Sequence, residues 1–291
     1  MSIVYLNGEY LPLEQAKVSV LDRGFLFADG VYEVIPAYGG HLLRMAEHMQ
    51  RLQNSLDAIR LQNPLSHAQW QAIIQQLLQK NAAVLEQEDQ AVYLQLTRGV
   101  AARRNHGFPD EIIPTVFVMV NDLQPVTKEA LRPGVSAITL DDMRWKACDI
   151  KSISLLGNIL LRQQAHDRNA AEAILIKDGL VTEGAASNLF AVIDGVLLTP
   201  PSGPSLLPGI TRDLIIELAK KHHIACEERD IREDELRSAS EIWLTSSTRE
   251  ILPVLELDGK PVANGKSGPI WENMIDIYQA YKADLRAGVS Q

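Results

Sequence analysis

The sequence predicts an α+β chain of two domains. Strand signals and helical signals are mixed along the chain without regular strand–helix–strand alternation, which argues against a doubly wound parallel sheet. At 291 residues the chain has room for two domains of ordinary size. A stretch with Pro125 and Pro133 interrupts the patterned segments and reads as a linker. The expected division is a small N-terminal α+β domain over 1–122, a linker over 123–134 and a larger C-terminal domain over 135–291.

The elements follow in order. Residues 3–10 alternate around Asn7-Gly8, a hairpin signal. Asp22-Arg23-Gly24 and Asp29-Gly30 bracket Phe25-Leu26-Phe27, and a strand is expected at 31–35. From Arg44 to Arg60, apolar residues recur at Met45, Met49, Leu52, Leu56 and Ile59, one stripe of an amphipathic helix. Ser66 followed by Gln69 is a capping box that opens a second helix, with Trp70, Ile73, Ile74, Leu77 and Leu78 as its apolar face. Strands are expected at 91–97 and 115–120, the second apolar enough to be central. Beyond the linker come a strand at 135–140, a helix at 154–168 and short strands at 173–176, 188–193 and 196–199. Helices are expected at 211–223 and 232–238, a strand at 241–245, a turn at Leu257-Asp258-Gly259-Lys260 and a closing helix at 269–286.

Composition excludes several classes of function. The net charge of −9 argues against a nucleic-acid partner, and an anionic ligand would have to be held by local positive groups against the overall field. No apolar run approaches a membrane span, and the first residues lack the basic and apolar regions of a signal peptide. Cys148 and Cys226 offer neither a disulfide framework nor metal-ligand spacing, so a cytoplasmic setting without a metal is expected.

Four stretches carry candidate chemistry. In Cys148-Asp149-Ile150-Lys151-Ser152-Ile153-Ser154, Lys151 stands among apolar neighbours. A lysine held in such surroundings can supply a neutral amine that attacks a carbonyl, although a packed stem with its ammonium in water is the commoner outcome. Leu207-Pro208-Gly209-Ile210-Thr211 places glycine before a helix start, and Thr245-Ser246-Ser247-Thr248 places four hydroxyls after a strand. With Arg51 they suit a phosphate, although each alone is weak evidence, a Ser/Thr run after a strand being more often a turn and a lone helix arginine more often a surface residue. Val181-Thr182-Glu183-Gly184 puts a carboxylate at a strand end, either a polar turn or a buried acid that pairs with a heterocyclic nitrogen.

Taken together, these residues resemble a known family. Asp22-Arg23-Gly24, Asp29-Gly30-Val31-Tyr32-Glu33, Glu47-His48-x-x-Arg51-Leu52, Thr97-Arg98-Gly99 and Arg104-x-His106-x-Phe108-Pro109 stand in the same order and spacing as in the fold type IV, pyridoxal-phosphate-dependent aminotransferases. So do Arg144-Trp145, Cys148 to Ser152, Val181 to Gly184, Gly209 to Asp213 and Thr245-Ser246. The resemblance covers nearly the whole chain and is nearest to the D-amino-acid members. It implies a two-domain fold with the cofactor, pyridoxal 5′-phosphate, at the domain interface, and a homodimer.

The resemblance also implies roles. Lys151 matches the Schiff-base lysine, which also moves the proton at the substrate Cα. Glu183 matches the partner of the pyridine nitrogen. Arg51, Ile210, Thr211, Ser246 and Ser247 match a phosphate cup, and Leu207 a residue packed on the cofactor ring. Tyr32, Arg104 and His106 match the group that captures the substrate α-carboxylate in D-amino-acid members, and Trp145 and Ser152 match supporting positions. Two features depart from the pattern. The loop before Arg104 is one residue longer, and Ala185-Ala186 stand where serines are usual.

The expected activity is ping-pong amino transfer from a D-amino acid of D-alanine or D-glutamate type to a 2-oxo acid. Branched-chain L-amino-acid or (R)-amine transfer and an aminodeoxychorismate-lyase-type elimination are the alternatives on the same fold. A non-catalytic phosphate-ligand binder would need neither Lys151 nor Glu183.

Overall fold

The computed structural model describes residues 1–289. The chain forms two compact units. One comprises residues 1–125, 150–154 and 285–288; the other comprises 126–149, 155–284 and, among the described residues, Val289. Residues 290 and 291 of the expected C-terminal domain lie outside the described residues.

In the first unit, β1 (Ile3–Leu6) and β2 (Glu9–Pro12) form the expected hairpin. Asn7 takes a φ of 49°, the left-handed geometry that an Asn-Gly turn requires. There follow a short α1 (Arg23–Phe27), β3 (Gly30–Tyr38), β4 (His41–Leu42), α2 (Met45–Ala58), α3 (His67–Asn81), β5 (Gln90–Thr97) and β6 (Thr115–Asp122). The six strands run in the order β2-β1-β6-β5-β3-β4, antiparallel throughout. The capping box at Ser66 and Gln69 forms as expected and starts α3. Leu52 and Leu56 of α2 and Trp70, Ile74 and Leu77 of α3 bury against Val92, Leu94 and Val118 of the sheet. That burial is the main stabilising term of this unit, at roughly 25 cal/mol for each Å² of apolar surface removed from water.

Residues 150–154 join this unit and not the C-terminal one in which Lys151 was expected. The reason is backbone pairing on β3. Tyr32 N–H donates to the Lys151 carbonyl (3.0 Å), Ile153 N–H donates to the Gly30 carbonyl (3.0 Å), and Val31 bridges Ser152. Gly30 permits the approach, since a Cβ there would collide with the Leu96 carbonyl oxygen and stand 3.0 Å from Ile153 Cδ1.

The second unit contains α4 (Lys128–Leu131), β7 (Val135–Asp141), α5 (Leu156–Asp167), β8 (Glu172–Lys177), β9 (Leu180–Gly184), β10 (Asn188–Ile193) and β11 (Val196–Thr199). It continues with α6 (Ile210–Lys221), β12 (Cys226–Glu228), α7 (Glu233–Ser238), β13 (Glu241–Ser246), β14 (Glu250–Leu257), β15 (Lys260–Pro261) and α8 (Pro269–Arg286). The sheet order is β12-β11-β10-β13-β14-β7-β8-β9, with β15 on β14. The pairs β11/β12, β14/β7 and β7/β8 are parallel and the others antiparallel. One of its cores joins Ile174, Leu189, Leu198, Ile242 and Val254.

Part of the expected linker is helical. Thr127 caps α4 through its hydroxyl, which accepts from Ala130 N–H (3.2 Å), Leu131 is buried, and Lys128 meets Glu272 and Asp276 of α8 at 2.8 Å each. Strand β12 was not anticipated, and β9 and β14 were expected only as the strand that ends at Glu183 and the arm that enters the hairpin turn at 257–260. Pro253 masks β14, because proline reads as a strand breaker, yet it sits opposite Trp243 in the register of β13. Among the described residues no helix is long and apolar enough to cross a membrane.

Candidate active site

In the first unit the site is built on α2 and β3. One face of α2 buries Leu52 and Leu56 together with three polar residues, His48, Arg51 and Ser55. Each has a partner in the same unit. Ser55 Oγ accepts from Lys151 N–H (3.2 Å), and the Lys151 carbonyl is taken by Tyr32, so the lysine backbone is held from both sides. Lys151 Nζ lies 4.3 Å from the centroid of the Tyr32 ring, a cation–π distance.

Beside it, Glu33 of β3 is fully buried and accepts from Arg51 Nε and Nη2, both at 2.7 Å, a bidentate pair. His48 Nδ1 lies 2.8 Å from Glu33 Oε2. Burial raises the Glu33 carboxyl, but the Arg51 charge, its hydrogen bonds and the His48 bond outweigh burial and hold it well below the ordinary carboxylate range. Burial pushes the His48 ring down against the pull of Glu33, so the imidazole stays neutral and donates from Nδ1. Its Nε2 is buried without a partner.

The expected carboxylate-capturing residues divide into two places. Arg104 and His106 are exposed and come together on Phe27, the guanidinium 4.9 Å and the imidazole 5.2 Å from its ring centroid. Tyr32 meets Lys151 and Tyr93 instead, its ring centroid 5.8 Å from that of Tyr93. Ser152 is buried on the segment that carries Lys151.

In the second unit, Glu183 lies near the end of the short strand β9 and is buried. Its Oε1 accepts from Arg144 Nη1 (2.5 Å), and Oε2 accepts from Asn188 Nδ2 and Leu207 N–H, both at 3.1 Å. Arg144 is shared. Its Nε and Nη2 donate to Asp142 at 2.9 and 2.7 Å, and Thr182 Oγ1 donates to the same carboxylate at 3.0 Å. Burial pushes the Glu183 carboxyl up to about 7, with Arg144 and the Leu207 amide pulling against it. Trp145, next to Arg144, is half exposed.

The same unit holds an anion cradle. Gly209 precedes α6 without any side-chain cap, so the first helical turn relies on other acceptors for its N–H groups. Asn188 Oδ1 lies where a Cβ on Gly209 would sit, which makes this approach specific to glycine. Thr211 Oγ1 in the first turn of α6 and Thr245 Oγ1 near the end of β13 are both buried without a partner, and α6 packs on β13. Buried hydroxyls without partners cost free energy unless a ligand takes them. Two such groups at an uncapped helix N-terminus fit a phosphate.

The placements refine the sequence reading. Ile210, Thr211, Leu207, Glu183, Ser246 and Ser247 belong to the second unit, and Arg51, Lys151, Tyr32, Arg104 and His106 to the first. Ser246 Oγ accepts from Arg249 N–H (3.3 Å), a turn bond, while Thr245 carries the hydroxyl without a partner. Arg144, Asp142 and Asn188 were given no role in the sequence reading, and Thr245 entered it only as one of four hydroxyls that suit a phosphate. Every residue from Glu241 to Thr245 is buried, so alternation does not single out Thr245, and nothing local marks the other three.

The amino-transferase class IV family model matches residues 30–257. A D-alanine aminotransferase of Bacillus licheniformis is 40% identical over 93% of this chain and 94% of its own. Among solved structures, a branched-chain amino acid aminotransferase of Escherichia coli superposes with a TM-score of 0.89 at 29% identity, covering 100% of this chain and 96% of its own. A hypothetical aminotransferase of Mycobacterium tuberculosis in a PLP-bound form gives 0.81 at 29%, covering 96% and 98%. The chain belongs to the class IV aminotransferases.

Proposed function

We propose that this protein is a pyridoxal-phosphate-dependent aminotransferase that moves an amino group between a D-amino acid and a 2-oxo acid by a ping-pong mechanism. The observation that carries the D-amino-acid reading is the 40% identity to a D-alanine aminotransferase over nearly the full length of both chains. The residues fit the cofactor. The two buried hydroxyls without partners, Thr211 and Thr245, suit its phosphate together with the first turn of α6. Ser246, Ser247 and Ile210 would complete the cup in this unit, Arg51 is the cation proposed for the phosphate, and Leu207 would pack on the ring.

Bound pyridoxal phosphate supplies an electron-accepting ring that stabilises negative charge at the substrate Cα. The chain supplies the rest. Lys151 Nζ would hold the cofactor at its carbonyl carbon and would move the proton at the substrate Cα. Glu183 would hold a proton on the ring nitrogen, with Arg144, Asn188 and the Leu207 amide fixing the direction of its carboxyl. Because Arg104 and His106 stand apart from Tyr32 within one chain, the pair from one copy of the proposed homodimer would join the Tyr32 hydroxyl of the other on the substrate α-carboxylate and so select the enantiomer.

The active form is proposed to be a homodimer. In the first unit Val20, Phe25 and Ile113 are 69%, 71% and 82% exposed in the single chain, apolar surface that a second copy would cover. The two free cysteines suit a cytoplasmic enzyme.

A screen of D- and L-amino acids against pyruvate and 2-oxoglutarate tests this reading. Turnover of D-alanine with 2-oxoglutarate is expected, and Arg104→Ala should lower kcat/KM for D-alanine by about 10²-fold, as when one partner of a charge pair is truncated. A preference for branched-chain L-substrates would favour the function named for the Escherichia coli structure.

A further inference from the structure

The loop over 101–108 carries Arg104 and His106 and contains no helix or strand. A guanidinium meets a carboxylate with two parallel N–H bonds only over a narrow range of directions, so the loop backbone must be fixed. Arg23 fixes it. Its side chain is buried, Nη1 donates to the carbonyls of Asn105 (2.6 Å) and Gly107 (3.1 Å), and Nη2 donates to that of His106 (3.2 Å). Three consecutive carbonyls on one guanidinium define the path of the chain through His106.

The guanidinium is itself held. Arg23 Nε donates to Asp29 Oδ2 (2.8 Å), and the same carboxylate takes Arg98 Nε (2.8 Å) and Nη2 (3.0 Å). Arg98 donates to the Ile59 carbonyl (2.7 Å) and the Arg60 carbonyl (3.1 Å) just past α2, and lies 3.8 Å over the Phe108 ring. Phe27, at the end of the helix that Arg23 begins, supports both Arg104 and His106.

We propose that Arg23 is a positioning residue for substrate recognition: by holding the carbonyls of residues 105–107 it sets the directions of Arg104 and His106, and through them the affinity for the substrate α-carboxylate. The proposal rests on the reading of Arg104 and His106 as the carboxylate-capturing pair. Arg23 acts through the loop and not on the substrate, because its side chain is buried and four of its N–H groups are already bonded.

The test compares the holoenzyme with Arg23→Met, which keeps the stem and removes the donors, and Arg23→Lys, which restores one charged donor. Arg23→Met should raise KM for D-alanine and the inhibition constant of propionate, a carboxylate without an amino group, by about tenfold, with kcat changed less than about twofold. Arg23→Lys should recover part of the loss. Amide hydrogen exchange over 103–108 should speed up in Arg23→Met and stay unchanged in the second unit. Unchanged KM and unchanged exchange in that loop, or a fall in kcat at constant KM, would overturn the proposal. If Arg23→Met does not fold, Asp29→Asn, which loosens the Arg23 guanidinium without removing it, is read by the same two measurements. Arg104→Ala separates the two claims. If it raises KM while Arg23→Met does not, positioning by Arg23 is wrong and the capturing pair stands. If it leaves KM unchanged, the capturing pair is wrong and the proposal falls with it.

Discussion

Glu33 and Glu183 are both buried carboxylates bonded to an arginine, yet the protein drives them in opposite directions. Arg51 gives Glu33 two parallel bonds and His48 adds a third, which holds that carboxyl well below its ordinary value. Arg144 gives Glu183 a single bond, because its other donors serve Asp142, and burial lifts the Glu183 carboxyl to about 7. The difference lies in how many donors each guanidinium turns to its carboxylate and in Asp142, whose charge shares Arg144 and also raises Glu183. Two parallel bonds make Glu33 a permanent anion that anchors α2 to β3. A single bond from a shared guanidinium leaves Glu183 poised, and on the proposed reading a protonated ring nitrogen would supply the missing positive charge.

Substitutions on the two sides can break or sharpen this contrast. The largest effect is expected at Lys151. Lys151→Ala should slow turnover of D-alanine with 2-oxoglutarate by about 10²–10⁴-fold, the range for loss of a positioned acid–base group, measured in steady state with saturating cofactor. Next comes Glu33→Gln, which leaves the Arg51 charge buried without that anion. It should cost about 3–5 kcal/mol of stability in denaturant unfolding, and a loss below about 1 kcal/mol would mean that the pair is not structural. Glu183→Gln should show the reverse pattern: turnover about 10²-fold slower, as for loss of a directed charge, with the cofactor still bound and little change in stability.

pH distinguishes the two carboxylates without mutation. Glu33 binds its proton more weakly folded than unfolded, so its contribution to stability is present above about pH 4.5 and is lost as pH falls below that value. Glu183 binds its proton more tightly when folded, so its contribution is present below about 4.5 and is lost as pH rises through about 7. Unfolding of the cofactor-free protein across this range, compared with Glu183→Gln, should therefore show wild type losing relative stability between about pH 4.5 and 7. The smallest effect is expected at the phosphate cradle. Thr211→Val removes one buried hydroxyl without a partner and should weaken cofactor retention by about tenfold in equilibrium dialysis, the scale of one hydrogen bond to a charged group.

The two sides were not equally legible in the sequence. The apolar period of α2 and the capping box of α3 follow from local pattern, and the helices form where that pattern places them. Lys151 and Glu183 stood out through their neighbours and the spacing of the whole set. The partners that tune Glu183 were not readable, since Arg144 lies 39 residues away and local sequence says nothing of which carboxylate it will reach. Lys151 was expected in the C-terminal domain because only the backbone ladder to Gly30 and Tyr32, not sequence proximity, decides which unit a five-residue segment joins. Thr245 was passed over for Ser246 and Ser247 because a run of hydroxyls looks uniform in sequence, and the strand that carries it is buried at every position from Glu241 to Thr245.

The most direct test is borohydride reduction of the purified holoenzyme followed by peptide mapping. Absorbance near ~420 nm should be lost on reduction, as for a protonated pyridoxal imine, and the cofactor should then be found covalently on Lys151. Label on another lysine, or none, would contradict the assignment on which the rest of the site is built.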